Sequence, residues 1–281
     1  RDISLTIAAG ERVAVLGESG CGKTTLVRAV LGLLADGASV SGEIVIGGTP
    51  VPHDRPDQMR AWRGRRIGYV PQNPLSSFDP LSAVGRQVRQ AWKAHGEAIS
   101  ATELQEHFAA VGLAETTLLD RRPAAWSGGM LQRALIIAAT ALRPELVLAD
   151  EPTSAIDRPL ARQMLELIAS RSRTVIAVTH DIDLAHALTD RIVVLYGGGI
   201  VEDGPSAQVF HSPRHPYTRA LLSALPQPGR LPDDLDGDPP SPQRTCGPCY
   251  FAPRCRLRTG ACQTAPAFAA GVACHYPTMP T

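Results

Sequence analysis

The sequence predicts an α/β fold: a mainly parallel sheet covered by helices on both faces, an inserted helical subdomain, and a small cysteine-rich C-terminal extension. Three observations predict it. Short β-rich runs alternate with helix-like stretches over about the first 210 residues. A glycine-rich turn joins the first such run to the first helical stretch. Five of the six cysteines are crowded into the last 36 residues.

The elements follow in order. The chain opens at Arg1 on "ISLTI" and reads as a fragment whose first strand is missing. "RVAVLG" is a short apolar run ending in glycine, and "KTTLVRAVLGLL" after it has helical spacing. "RIGYV", "ELVLAD", "TVIAVTHD" and "DRIVVLY" are further strand-like runs, with "RPLARQMLELIASRS" a helix among them. Apolar runs this short and continuous suit strands buried on both faces. Residues 80–142 lack such runs. There "VGRQVRQAWKAHG", "TELQEHFAAVGL" and "LQRALIIAATAL" predict three helices. A C-terminal helix is expected at 211–225, around "YTRALLSALP". Residues 226–245, "PQPGRLPDDLDGDPPSPQR" and its edges, have the Pro, Gly and Asp content of a linker. Residues 246–281 form the cysteine-rich tail.

Composition excludes several classes. Hydrophobic residues make up 44%, enough for an ordinary core, and the net charge is +1 from 28 basic and 27 acidic residues. That balance gives no electrostatic reason to expect nucleic acid as a partner. No run approaches the roughly 18 apolar residues of a membrane span, and no signal peptide is evident.

"GESGCGKT" (Gly17, Glu18, Ser19, Gly20, Cys21, Gly22, Lys23, Thr24) fits the phosphate-loop pattern, with Thr25 next in the helix. It follows a predicted strand and opens a predicted helix, the context the pattern needs. Glycines let amide groups curl round a phosphate, and the helix N-terminus adds partial positive charge. Lys23 is placed to reach the β- and γ-phosphates and the Thr24 hydroxyl to bind Mg²⁺. Cys21 reads as a small space-filler within the loop. "LVLADEPTS" runs a strand into two acids. Asp150 at the strand end suits Mg²⁺. Glu151 points elsewhere, because side chains alternate at a strand end. It suits a general base for an attacking water, or a cap on the next element.

"WSGGMLQR" completes the pattern. With "GESGCGKT", "YVPQNP", "LADEPTSAID" and "TVIAVTHD", the sequence resembles the ATP-binding subunit of an ABC transporter, a P-loop NTPase, over about residues 3–210. The resemblance implies an ATPase. It implies that Gln72 contacts Mg²⁺ and the attacking water and senses the membrane partner. It assigns the γ-phosphate of ATP on a second subunit to Ser127 and Gly129, with Gly128 keeping that loop open. It makes Glu151 the general base, places Asp157 at the dimer seam, and gives His180 the γ-phosphate. A second ABC ATPase subunit, identical or not, is therefore an implied partner, as are transmembrane permease subunits. The implied location is the cytoplasmic face of the cell membrane. Two departures stay apolar and predict little damage: Trp126 where the family usually has leucine, and "SAID" for "SALD". The family's adenine-stacking aromatic lies upstream of "ISLTI", so no such residue is assigned.

"PQNPLSSFDPLSAVGRQV", "SGGMLQR" and above all "HSPRHPYTRALLSALP" resemble the oligopeptide, dipeptide and nickel importer group. That implies uptake of peptides or nickel delivered by an external binding protein. A soluble ABC protein acting on nucleic acid or ribosomes is the rival reading. It expects two cassettes or a coiled-coil arm, whereas one cassette is present and only 54 residues separate Gln72 from Ser127. A regulatory sensing role for the tail is a third reading, compatible with the first.

The tail matches the group's "C-x-F-x-P-R-C…C…C-H" form, which implies a [4Fe–4S] cluster on Cys249, Cys255, Cys262 and Cys274. Five, six and eleven residues separate them. Four thiolates would equally suit zinc. Disulfides are disfavoured in the cytosol, and a tail this short needs some cross-link. "CGPC", from Cys246 to Cys249, matches a redox tetrapeptide but lacks the strand and helix that lower a thiol pKa.

Overall fold

The computed structural model describes residues 2–152, 158–224, 237 and 248–277; for 158 and 159 only the backbone is described. In chain order the elements are β1 (Arg12–Leu16), α1 (Lys23–Leu31), β2 (Val45–Ile46), β3 (Thr49–Pro50), α2 (Pro56–Trp62), β4 (Ile67–Val70), α3 (Val84–Lys93) and α4 (Ala101–Ala109). Then come α5 (Gly128–Ala139), β5 (Leu146–Asp150), α6 (Arg158–Arg171), β6 (Thr174–Val178), α7 (Ile182–Leu188), β7 (Arg191–Tyr196), β8 (Gly199–Pro205), α8 (Ser206–His211) and α9 (Pro216–Ser223). The linker expected at 226–245 lies outside the described residues apart from Gly237, and so do Cys246 and Asp157. The chain forms two compact units: residues 1–7, 13–24 and 179–281, and residues 8–12 and 25–178.

In the first unit, β1 pairs in parallel with β7, with Val13 opposite Arg191 and Leu16 opposite Val194. β7 and β8 form an antiparallel hairpin. It turns on Gly197 and Gly198, both at positive φ, as a two-residue hairpin turn requires. β8 and the hairpin were not read from the sequence, because "GIVEDGP" is poor in β-formers. Pairing supplies what propensity does not. Tail residues extend it: Asp203 N–H donates to the Gly271 carbonyl at 2.8 Å, and Ala273 N–H to the Val201 carbonyl at 2.9 Å. The core joins Leu16, Val194, Tyr196, Val209, Tyr217 and Phe251, so the tail is part of this unit's core. Phe251 and Val272 of the tail are buried, and Phe251 joins the core of this unit.

In the second unit, β4, β5 and β6 are parallel neighbours, in the places the apolar runs predict. Every residue of β5 is buried, which explains why its sequence is a continuous apolar run. Residues 80–142 hold α3, α4 and α5 around a core that includes Val88, Phe108, Trp126 and Leu131. Ser100 and Glu103 close a reciprocal capping box at the start of α4. Trp126 is buried and meets Phe108 edge-on, ring centroids 5.9 Å apart. The tryptophan thus serves as core of the helical region. Ile156, the second departure, lies outside the described residues. Among the described residues no helix is long and apolar enough to cross a membrane.

Candidate functional site

The phosphate loop belongs to the first unit. Gly17 follows β1 at positive φ, and a Cβ there would collide with the Leu195 carbonyl oxygen, so only glycine fits. Gly22, also at positive φ, precedes α1. Lys23 is buried, and its Nζ donates to the Gly17 carbonyl at 2.7 Å and the Glu18 carbonyl at 3.0 Å. The ammonium is therefore folded back onto the loop's own carbonyls. Cys21 is buried beneath it. Burial pushes its thiol up, against the pull of the Lys23 charge, which fits a space-filler better than a reactive thiolate. The Cys21 carbonyl accepts from Gly198 N–H at 3.0 Å, tying the loop to the β7–β8 turn. Ser19, Gly20 and Thr25 are exposed, and Thr24 is half-buried in the first turn of α1.

Glu18 is turned to the protein by every polar group it has. Its N–H donates to Tyr217 Oη at 2.9 Å. Its carbonyl accepts from Lys23. Its carboxylate takes a two-pronged ion pair from Arg254, at 2.7 and 3.0 Å. His180, also of this unit, is exposed just after β6.

The acidic pair belongs to the second unit. Asp150, at the end of β5, is 2% exposed. Glu151 follows at φ +44°, a left-handed conformation uncommon for a residue with a Cβ. Its N–H donates to the Val178 carbonyl at 2.8 Å. Its Oε2 accepts from Gln72 Nε2 at 2.7 Å. The structure thus brings together the two residues that sequence reasoning linked through an attacking water, from segments 79 positions apart. Ser127 caps α5, its side chain accepting from Met130 N–H at 3.3 Å. Gly128 is exposed and Gly129 half-buried in the first turn. Amides at a helix start carry partial positive charge.

The tail cysteines converge. Cys249, Cys255, Cys262 and Cys274 line one small cavity with His215 and Phe251. All four are free and half-buried. Burial pushes the thiols of Cys249, Cys255 and Cys274 up, and the charge of Cys262 adds to it in each case. Four thiols round one cavity have the donor chemistry of a thiolate-bound group. Even so, among the described residues no three or more His, Cys, Asp or Glu side chains are arranged to hold a metal ion. What the chain shows here is a four-thiol cavity.

Beside it, His215 caps α9: its Nδ1 accepts from Tyr217 N–H at 3.0 Å. Burial lowers its pKa to about 4. Its own N–H and that of Arg214 donate to the Glu202 carboxylate. The His-Pro-Tyr-Thr segment carries the resemblance to the importer group. In the structure its tyrosine reaches the phosphate loop. Sequence reasoning missed Tyr217 and Arg254 as neighbours of that loop; they lie 199 and 236 positions from Glu18, with no local pattern to link them.

Residues 1–154 match the ABC transporter family model. The chain belongs to the ABC transporter family. Residues 201–262 match a second model, the oligopeptide/dipeptide transporter C-terminal region, which takes in most of β8, α8, α9 and the tail through Cys262. A probable peptide ABC transporter ATP-binding protein of Sinorhizobium fredii is 36% identical over 276 residues, 93% of this chain and 82% of the relative. A probable D,D-dipeptide transport ATP-binding protein of Escherichia coli is 33% identical over 298 residues, 98% and 90% of the two chains. Among solved structures, a dimeric post-hydrolysis ATP-binding cassette bound to ADP and Pi aligns with TM-score 0.63 and 28% identity, covering 72% of this chain and 88% of that one. The ABC ATPase fold expected from the motifs is therefore present, and the chain is an ABC ATPase.

Proposed function

We propose that this ATPase drives the uptake of peptides through a membrane permease. The observation that carries the reading is the second family match, over residues 201–262, on a chain that also has the cassette. Relatives named for peptide and dipeptide transport support peptides over nickel as the cargo.

In the cycle that follows, ATP binds at the phosphate loop, with Lys23 on the β- and γ-phosphates and the loop amides round them. Mg²⁺ would be held by Thr24, Asp150 and Gln72, and supplies charge neutralisation on the transferring phosphoryl group. Glu151 takes the proton of the attacking water, and Gln72, already at its carboxylate, orients that water. His180 steadies the γ-phosphate. Ser127 and Gly129 of a second ATPase subunit complete the site across a dimer, with Asp157 at the seam. Binding closes the pair and hydrolysis releases it, and Gln72 passes this motion to the permease. An external binding protein supplies cargo, and the chain works at the cytoplasmic face of the membrane. The nucleotide-handling region runs to about residue 210; the helix of 211–225, the linker of 226–245 and the tail of 246–281 follow it.

The four tail cysteines would hold a [4Fe–4S] cluster, with zinc as the second reading; their shared cavity supports it. The group would act as a cross-link for a segment without its own core. Anaerobic purification with iron, sulfide and zinc assays separates these. About four iron and four sulfide per chain supports the cluster, stoichiometric zinc selects the clip, and metal-free thiols remove both. The transport reading is tested by reconstituting the chain with its permease and binding protein. Peptide-stimulated ATP hydrolysis is expected, absent with Lys23→Ala. Stimulation by nickel and not by peptides would overturn the cargo.

A further inference from the structure

We propose that Arg254 and Tyr217 are positioning residues for the phosphate loop, so that the tail and α9 set how tightly the chain binds ATP. The inference rests on the reading of residues 17–24 as the ATP site and deepens it. Three polar groups of one loop residue carry it. Glu18 N–H is fixed by Tyr217 Oη, its carbonyl by Lys23 Nζ, and its carboxylate by Arg254. Glu18 is thus the point where the loop is fastened to residues more than 190 positions away.

The fastening is rigid. The Arg254 side chain is 5% exposed and that of Glu18 23%, so water screens the pair little. Arg254 also lies over Tyr196, with Nη1 3.4 Å from its Oη. Tyr196, Tyr217 and Phe251 pack ring against ring, centroids 4.4 to 5.5 Å apart. Tyr217 is fully buried. Arg254 ends a short helical turn, Ala252–Arg254, and precedes Cys255 of the four-thiol cavity. Its guanidinium is therefore held where the tail's fold holds it.

The consequence is chemical. Lys23 must offer its ammonium to phosphate while the loop keeps its curl. Removing Arg254 leaves the Glu18 carboxylate without its partner and lets the first turn of the loop relax. Removing the Tyr217 hydroxyl leaves the Glu18 amide unpaired. Both changes weaken phosphate binding without touching Glu151 or Gln72. They act on affinity and spare turnover.

The test measures ATP affinity by equilibrium titration with a fluorescent ATP analogue, and kcat at saturating ATP, on the full chain. Arg254→Ala is expected to raise Kd about tenfold, within the range for directly coupled groups, with kcat within about twofold. Tyr217→Phe is expected to raise Kd by about two- to fivefold. Glu18→Ala/Arg254→Ala should bind no more weakly than the weaker single variant, because both remove one interaction. Where Arg254→Ala fails to fold, Arg254→Lys keeps the charge and loses the fork, and an intermediate Kd is expected. An unchanged Kd in Arg254→Ala or Arg254→Lys, effects that multiply in the double variant, or loss of kcat with Kd intact each overturns the inference. Lys23→Ala is run alongside. Loss of binding there with an unchanged Arg254 variant overturns the inference alone. Retained binding in Lys23→Ala overturns the reading of the ATP site, and the inference with it.

Discussion

Glu18 and Glu151 each follow a buried parallel strand, and they are held in opposite ways. Glu18 gives its amide, carbonyl and carboxylate to Tyr217, Lys23 and Arg254. Glu151 stands on left-handed backbone with its carboxylate meeting an exposed glutamine amide. A carboxylate locked in a buried fork with arginine is a fastener, because both of its oxygens and its position are committed to that partner. One that meets an exposed side chain from left-handed backbone is suited to the general-base role proposed for Glu151. A strand-end glutamate in a nucleotide-binding protein therefore has no fixed meaning; its partners assign it.

The largest expected effect breaks the comparison on the Glu151 side. Glu151→Gln should lower ATP turnover by about 10²- to 10⁴-fold, as for loss of a general base, with ATP affinity nearly unchanged. A steady-state and binding assay side by side checks this, and an unaltered kcat would remove Glu151 from that role.

The next acts through His215, on the Glu18 side. Its folded pKa is about 4 against an ordinary 6.5. Below pH 6.5 the unfolded chain takes a proton that the folded chain refuses. Stability is therefore full above pH 6.5 and falls as pH drops toward 4, by about 3 kcal/mol. His215→Asn retains a side chain able to cap α9. Its unfolding midpoint should fall less between pH 7 and pH 4.5 than that of the unaltered chain; parallel curves would dismiss the histidine as the cause.

Glu18→Gln sharpens the comparison. It should raise the KM for ATP several-fold, with about 10 as an upper bound, and leave kcat within about twofold. That is the reverse of the split expected for Glu151→Gln. If Glu18→Gln lowered kcat instead, the two glutamates would not differ in kind.

Much of this was legible in the sequence. The runs behind β1, β4, β5, β6 and β7 predict strands because buried parallel strands are apolar throughout. The phosphate loop is legible because glycines, lysine and threonine are demanded at fixed spacing by one local structure. Gln72 and Glu151 could be paired only through the family resemblance, since 79 positions separate them. β8 was hidden, because its stability comes from pairing with β7 and with the tail and not from "GIVEDGP" itself. The cysteines announced a cross-link, and their common cavity needed the fold.

By itself, then, the sequence determined the α/β class, the phosphate loop and the strand that presents the acidic pair. Each is a local pattern in which neighbouring residues supply the whole physical reason. The tertiary structure alone decided that Tyr217 and Arg254 hold Glu18, because no spacing rule connects a loop near residue 18 with side chains at 217 and 254. Their meeting depends on a shared core around Tyr196 and Phe251, and a core is a property of packing in space.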